Sequence, residues 1–263
     1  MKLALSVILI SLSMNSCKTT SQQSELKVIG GSASKVDTLS GIIKIGSCSA
    51  VKISQTSYLS AKHCVDSNGW RLGETVGGAL VYKDDVRITF EASITKIESH
   101  PEEDLAVMVL DQGIPEMRPI PIYRGEEPSE VVLAGYGCTQ FIVSGFSTFP
   151  GSSPGYLQEA KATLWDPQRR VGHDTGKRYY VKAEAEEFLG EKNIQGPALC
   201  PGDSGGGLLV GSHENGFSVV AINSSIHPHS LISTFVRVDP TATNNIHSWI
   251  TEHMASDVED DKN

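Results

Sequence analysis

The chain has 263 residues, 39% of them hydrophobic, enough to bury a large core in one or two domains. Its net charge of −9 argues against affinity for nucleic acid or for an anionic membrane. Short apolar runs separated by Gly, Pro, Ser and Asn recur, and helical periodicity is scarce before the C-terminus, which favours an all-β chain.

Residues 1–16 open with Lys2 and continue into the apolar run Leu3 to Ile10, too short to cross a membrane and typical of a secretory signal. Cys17 follows Met14-Asn15-Ser16. This resembles a bacterial lipoprotein signal, although Met14 and Asn15 depart from the usual leucine and small residue. The resemblance implies a signal over 1–17, a lipidated Cys17 and an outer-membrane or cell-surface lipoprotein. The alternative is ordinary cleavage near Ser16, leaving a secreted or periplasmic protein. Residues 18–27 are polar and read as a linker or propeptide, and Val28-Ile29-Gly30-Gly31 reads as a strand start and turn.

Gly41 to Ile45 and Ala50 to Ile53 read as strands. His63 ends a strand-like run, in Ser60-Ala61-Lys62-His63-Cys64. Asp66 to Gly78 is turn-rich, and Leu80 to Tyr82 and Val86 to Phe90 continue the sheet. Asp84 and Asp85 sit in a solvated turn, and no metal site is expected. Asp104 stands directly before an apolar run, Leu105 to Leu110, which reads as a buried strand. Residues 115–128 contain Pro115, Pro119, Pro121 and Pro128 and read as a connection between two halves.

Val131 to Gly137 is the next strand. Residues 139–155, rich in Ser, Gly and Pro, read as a mobile loop. Arg178 to Lys182 and Val219 to Ser225 read as strands, 244–255 as a helix, and 256–263 as an acidic tail. Ser204 lies in Gly202-Asp203-Ser204-Gly205-Gly206. Glycines here let the backbone approach a ligand and aim the amides of Gly202 and Ser204 at one point, as an oxyanion site requires. Taken alone, the same residues describe a glycine-rich turn between strands. A serine hydroxyl needs a base, and the base needs an orienting carboxylate, which directs attention to His63 and Asp104.

The three segments, in the order His, Asp, Ser, resemble the signature blocks of the chymotrypsin/trypsin family of serine proteases over roughly Val28 to Met254. The resemblance implies two six-stranded antiparallel β-barrels, about 28–120 and 129–243, with a C-terminal helix, in a protease domain over 28–255. It implies a triad of His63, Asp104 and Ser204, an oxyanion hole at Gly202 and Ser204, and support of Asp104 by Ser224. Cleavage after Lys27 would free Val28 to pair with Asp203. Tyr136 stands where the family usually has tryptophan, and Ser225 replaces another.

The resemblance also implies a Cys48–Cys64 bridge, and it brings the loop of Cys138 beside Cys200. Those two lack their usual family partners and would pair with each other, leaving Cys17 free among five cysteines. The specificity pocket falls on Ala198, Leu199, Ile226 and Ser233, with no acid to receive a basic side chain. The expected partners are a protein or peptide substrate and an activating protease. A lipid anchor would be the only membrane contact, the chain a monomer, and no cofactor is required. A binding protein that has lost turnover and an esterase on the same scaffold are the rival functions.

Overall fold

The computed structural model describes residues 29, 31–34, 39–82, 85–166, 174–243 and 245–255, with the backbone alone for 85–87. The expected signal, Cys17, the 18–27 linker with Lys27, Val28, Asp84 and the acidic tail lie outside the described residues. No helix among the described residues is long and apolar enough to cross a membrane.

The first half comprises β1 (Ser32–Ala33), β2 (Ile42–Ile45), β3 (Cys48–Lys52), β4 (Ser57–Ser60), helix α1 (Lys62–Asn68), β5 (Thr75–Tyr82), β6 (Asp85–Ser99) and β7 (Ala106–Leu110). Strands β2 to β7 close an antiparallel barrel in the order β2-β3-β4-β7-β6-β5. Every residue of β3, β4 and β7 is buried. Their outward polar groups are covered by the rest of the chain: Ser49 Oγ donates to Gly202 O at 2.8 Å, and Ser57 Oγ accepts from Ala255 N at 2.9 Å. The stretch 66–78, expected as turns, instead completes α1 and enters β5 at Thr75. Its Gly77-Gly78 pair is not a turn. Gly78 lies under the ring of Phe90, where a Cβ would collide.

The second half comprises β8 (Glu130–Gly135), β9 (Phe141–Ser144), β10 (Ser147–Pro150), β11 (Gln158–Thr163), β12 (Arg178–Lys182), β13 (Glu184–Phe188), β14 (Glu191–Gln195), β15 (Gly207–Ser212), β16 (Gly216–His227), β17 (Ile232–Arg237) and helix α2 (Ile246–His253). Six strands run in the order β11-β8-β15-β16-β17-β12, with β1 added outside β11. Beyond β11, Trp165 N donates to Tyr180 O at 2.8 Å, so the two ends of this sheet meet. The expected pair of six-stranded barrels and the C-terminal helix are therefore present. Ile246 and Ile250 of α2 are buried in the core cluster that includes the first barrel.

The expected loop 139–155 is a correction. It contains the β9–β10 hairpin, which pairs with the unanticipated β13–β14 hairpin in a separate four-stranded sheet ordered β10-β9-β14-β13. Phe141, Val143 and Ile194 turn inward onto Cys138, Ala198 and Cys200. Alternate burial along β9 anchors a segment whose composition alone reads as irregular.

Lys52 is fully buried, and burial lowers its pKa. Its Nζ donates to Ile114 O at 2.8 Å and to Met117 O at 2.9 Å, while its carbonyl accepts from Ile120 N at 2.8 Å. One side chain thus fixes the start of the connection to the second half. Lys52→Met keeps the stem but leaves two carbonyls unpaired, and should lower stability by about 2–4 kcal/mol. A urea denaturation midpoint unchanged from the parent would refute the clamp.

Candidate active site

Asp104, just ahead of β7, is half-buried and receives three hydrogen bonds. The His63 backbone N donates to Oδ1 at 2.9 Å, His63 Nδ1 lies 2.8 Å from Oδ2, and Ser224 Oγ donates to Oδ2 at 2.7 Å. Burial pushes the Asp104 pKa up, but these bonds outweigh it and hold the carboxyl below its ordinary range. The bond to Asp104 raises the His63 pKa, against the opposing effect of burial. With Nδ1 occupied by the carboxylate, Nε2 is the second nitrogen of an exposed ring, and the Cys64 sulfur is its neighbour.

His63 is held at the start of α1, and the Cys48–Cys64 bridge fastens the next residue to β3. Cys64 Sγ lies 3.8 Å from His63 Nε2 and 3.7 Å from Ser204 O, so one sulfur touches both segments. No hydrogen bond joins Nε2 to Ser204 Oγ among the described residues. Such bonds are often long without substrate and tighten when it binds. Cys48, His63 and Cys64 also meet the spacing of a metal cluster, but their sulfurs are bonded to each other and offer no thiolate.

Four successive carbonyls of the loop carrying Ser204 are tied down. Pro201 O accepts from Cys138 N at 3.1 Å, and Gly202 O from Ser49 Oγ at 2.8 Å. Asp203 O accepts from Gly206 N at 2.9 Å and Asn223 Nδ2 at 3.1 Å, and Ser204 O from Ser49 N at 2.8 Å. All described peptides are trans, so each N–H points opposite the carbonyl of its own plane. The planes holding Pro201 O and Asp203 O carry the amides of Gly202 and Ser204. Neither amide donates to any group among the described residues. Gly202 adopts φ +103° and Gly205 φ +83°, and a Cβ on Gly205 would strike Ser49 O and Ser60 Oγ.

Asp203 points the other way, into the protein, where it is buried. Its oxygens accept from Gly137 N at 2.7 Å and Cys200 N at 2.9 Å. Burial raises its pKa from 3.8 to about 7, because two amides replace only part of the lost hydration. The Cys138–Cys200 bridge joins the two segments that supply those amides. Ile29 is buried in the same cluster, against Cys138, Ala198 and Cys200.

A family model described as Trypsin matches residues 28–250. The chain belongs to the trypsin family. No curated protein matches the chain. The fold is thus that of the trypsin-type serine proteases.

The residues expected to form the trypsin-family specificity pocket are also brought together. Ser233 Oγ accepts from Leu199 N at 3.0 Å, Ile226 faces Ser233 across β16 and β17, and Ile226 packs on the cluster holding Ala198. Sequence reasoning missed Ser49 and Asn223, which are fully buried and position the nucleophile loop. Glu103 was also missed. It is buried, and Arg178 Nε and Nη2 donate to its Oε2 at 3.1 and 2.9 Å, joining the Asp104 loop to β12. A carboxylate adjoining Asp104 was the only available signal.

The raised Asp203 pKa sets a pH dependence. The unfolded chain ionises this group near 3.8 and the folded chain only near 7, so stability falls as pH rises through that window. The loss approaches about 4 kcal/mol at 1.36 kcal/mol per pKa unit. His63, whose folded pKa is also raised, loses its contribution in the same sense near neutrality. Urea denaturation of the intact chain should therefore show declining stability from about pH 5 to pH 7.5. A profile flat or rising through that range would contradict the unpaired carboxylate.

Proposed function

We propose that the protein is a serine endopeptidase acting through an acyl-enzyme, with His63, Asp104 and Ser204 as its triad. The carrying observation is the pinned loop around Ser204, which leaves the amides of Gly202 and Ser204 without an acceptor among the described residues. Ser204 Oγ attacks the scissile carbonyl while His63 Nε2 takes the hydroxyl proton. Asp104 steadies the resulting imidazolium, and Ser224 steadies Asp104. The carbonyl oxygen gains negative charge and is received by the amides of Gly202 and Ser204. Collapse breaks the C–N bond as Nε2 returns its proton to the leaving amine. Water then repeats the sequence on the ester, releasing the acid and restoring Ser204.

Activation by cleavage after Lys27 fits the burial of Ile29 beside the Asp203 cradle. The freed ammonium of Val28 would neutralise a carboxylate that burial otherwise disfavours. The four pocket positions, Ala198, Leu199, Ile226 and Ser233, hold no acid, which favours small or apolar side chains over Arg and Lys. Cleavage at Lys27 then falls to another protease. The chain would act outside the cytoplasm, anchored at Cys17 or released, as a monomer.

Ser204→Ala should abolish turnover, and a fluorophosphonate should label the parent but not this variant. Undiminished turnover would remove Ser204 from the role, and an inert parent would favour a protease-like binding protein. Asp104→Asn should lower kcat by roughly 10⁴-fold, because the wrong imidazole tautomer is then favoured. The kcat/KM of the parent should rise with pH as His63 loses its proton. A peptide library presented to protein cleaved after Lys27 would measure the preference directly. A best substrate with Arg or Lys before the cleaved bond would overturn the pocket reading, and cleavage of esters alone would favour an esterase.

Asn223→Leu removes the side-chain donor to Asp203 O while keeping a comparable volume. It should lower kcat by about tenfold or more, on the scale of lost oxyanion donors, with KM little changed. Equal losses in kcat and in folding stability, tracked by denaturation, would show that Asn223 only holds the fold.

A further inference from the structure

Five large hydrophobic side chains are exposed among the described residues, and four of them lie on the separate four-stranded sheet. Phe146 is fully exposed, and Phe149, Phe188 and Leu189 are 55%, 76% and 88% exposed. The register explains how they gather. Ser147 faces Ser144, Ser144 faces Glu191, and Glu191 faces Phe188, so these residues form one row across all four strands. The row ends at two adjacent two-residue turns, Gly145-Phe146 and Leu189-Gly190. The next row on the same face, two residues in, is Phe149, Ile142, Asn193 and Glu186. The alternate rows carry Phe141, Val143 and Ile194 into the core, so the Phe149 and Phe188 face is the outer one.

Turn chemistry gives no reason for these apolar residues. Leu189 adopts φ +52° ahead of Gly190 at φ +81°, a hairpin geometry that favours Asn or Asp at the first position. A leucine held there is strained, and its side chain gains no burial in return. Phe146 occupies the opposite turn after Gly145 at φ +57°. Apolar side chains at two neighbouring tips, one of them strained, point to a partner that covers them.

Charge selects the partner. The outer face also carries Glu184, Glu186 and Glu191, all exposed, and none has an ion pair among the described residues. By register no lysine or arginine shares that face. An acidic rim disfavours an anionic lipid surface and also a second copy presenting the same carboxylates. The sheet is continuous with the active site, since β9 begins three residues after Cys138, whose bridge to Cys200 fastens it to the nucleophile loop.

We propose that this outer face and its tip form a docking surface for protein substrates, binding a segment with apolar and basic side chains outside the cleaved bond. The proposal rests on the endopeptidase reading, and the surface would add affinity for proteins that the cleft by itself does not provide. Docked side chains would cover Phe146, Phe149, Phe188 and Leu189 while Lys or Arg side chains meet the three glutamates.

The test uses the full chain cleaved after Lys27 and two fluorogenic peptides sharing the best core from the library. One is the core alone, and the other carries eight-residue Phe, Leu, Lys and Arg extensions at both ends. The extensions should raise kcat/KM by about tenfold or more through KM, a gain of roughly 1.4 kcal/mol in binding. F188S/L189N should remove that gain with the short-peptide rate retained, which also reports an intact fold. E186K/E191K should reverse the preference toward extensions with Asp and Glu. An absent gain, or one that survives F188S/L189N, overturns the docking surface.

Binding of the extended peptide to the S204A chain, read by fluorescence anisotropy, separates the two readings. Tip-dependent binding without hydrolysis by the parent retains the surface and rejects the endopeptidase. No tip-dependent binding rejects the surface whatever the hydrolysis. Tip-dependent sedimentation with zwitterionic vesicles, or tip-dependent dimerisation in analytical centrifugation, would assign the patch to lipid or to a second copy and overturn the proposal.

Discussion

The direction of four consecutive carbonyls, from Pro201 to Ser204, is the constraint on which the candidate site depends. Their donors come from separate parts of the chain: Cys138 for the first, Ser49 for the second and fourth, and Asn223 with Gly206 for the third. A glycine-bearing loop has many conformations, and left untied it would scatter its amides over all of them. Tying the carbonyls leaves two amides without an acceptor among the described residues, while the Asp203 side chain is buried against Gly137 and Cys200. Amides held in place in this way cost little to reorganise, which suits them to the oxyanion role proposed above. The buried carboxylate is the opposite case, an ionisable group whose amide partners do not fully replace water.

The barrels are coupled through the same neighbourhood. Tyr136 N donates to Ser49 Oγ at 3.2 Å, and its hydroxyl, donating to Ile42 O at 3.3 Å, reaches the first barrel. Glu103 and Arg178 form a second link on the Asp104 side. Lys52 and the return of Ala255 to Ser57 form others. His63 and Asp104 come from the first barrel, and Ser204 and Ser224 from the second. Their alignment therefore depends on these cross-links as much as on either barrel.

The legible part of the site was carried by residues whose chemistry is unusual in their surroundings. A histidine beside a cysteine, an aspartate at the mouth of an apolar strand and a serine among glycines each stand out locally. Ser49 and Asn223 do not. A serine inside a strand and an asparagine at a strand end are ordinary, and their partners lie 153 and 20 residues away. The hairpins β9–β10 and β13–β14 were hidden for a related reason. Phe141-Ile142-Val143 is short, and Glu184 to Glu187 has a charged composition that disfavours strand. Pairing of β13 with β14, which is itself held by β9 and by burial of Ile194, overcame that propensity.

Sequence alone determined the family and the two-barrel plan, and it singled out His63, Asp104 and Ser204 as the candidate triad. These are encoded in side-chain type and in spacing along the chain, which survive without coordinates. Tertiary structure decided which way the loop peptides face, how Asp203 is satisfied and where the exposed aromatic side chains gather. Those properties are set by hydrogen bonds and strand register between distant segments. No local stretch of residues contains the partner that completes them.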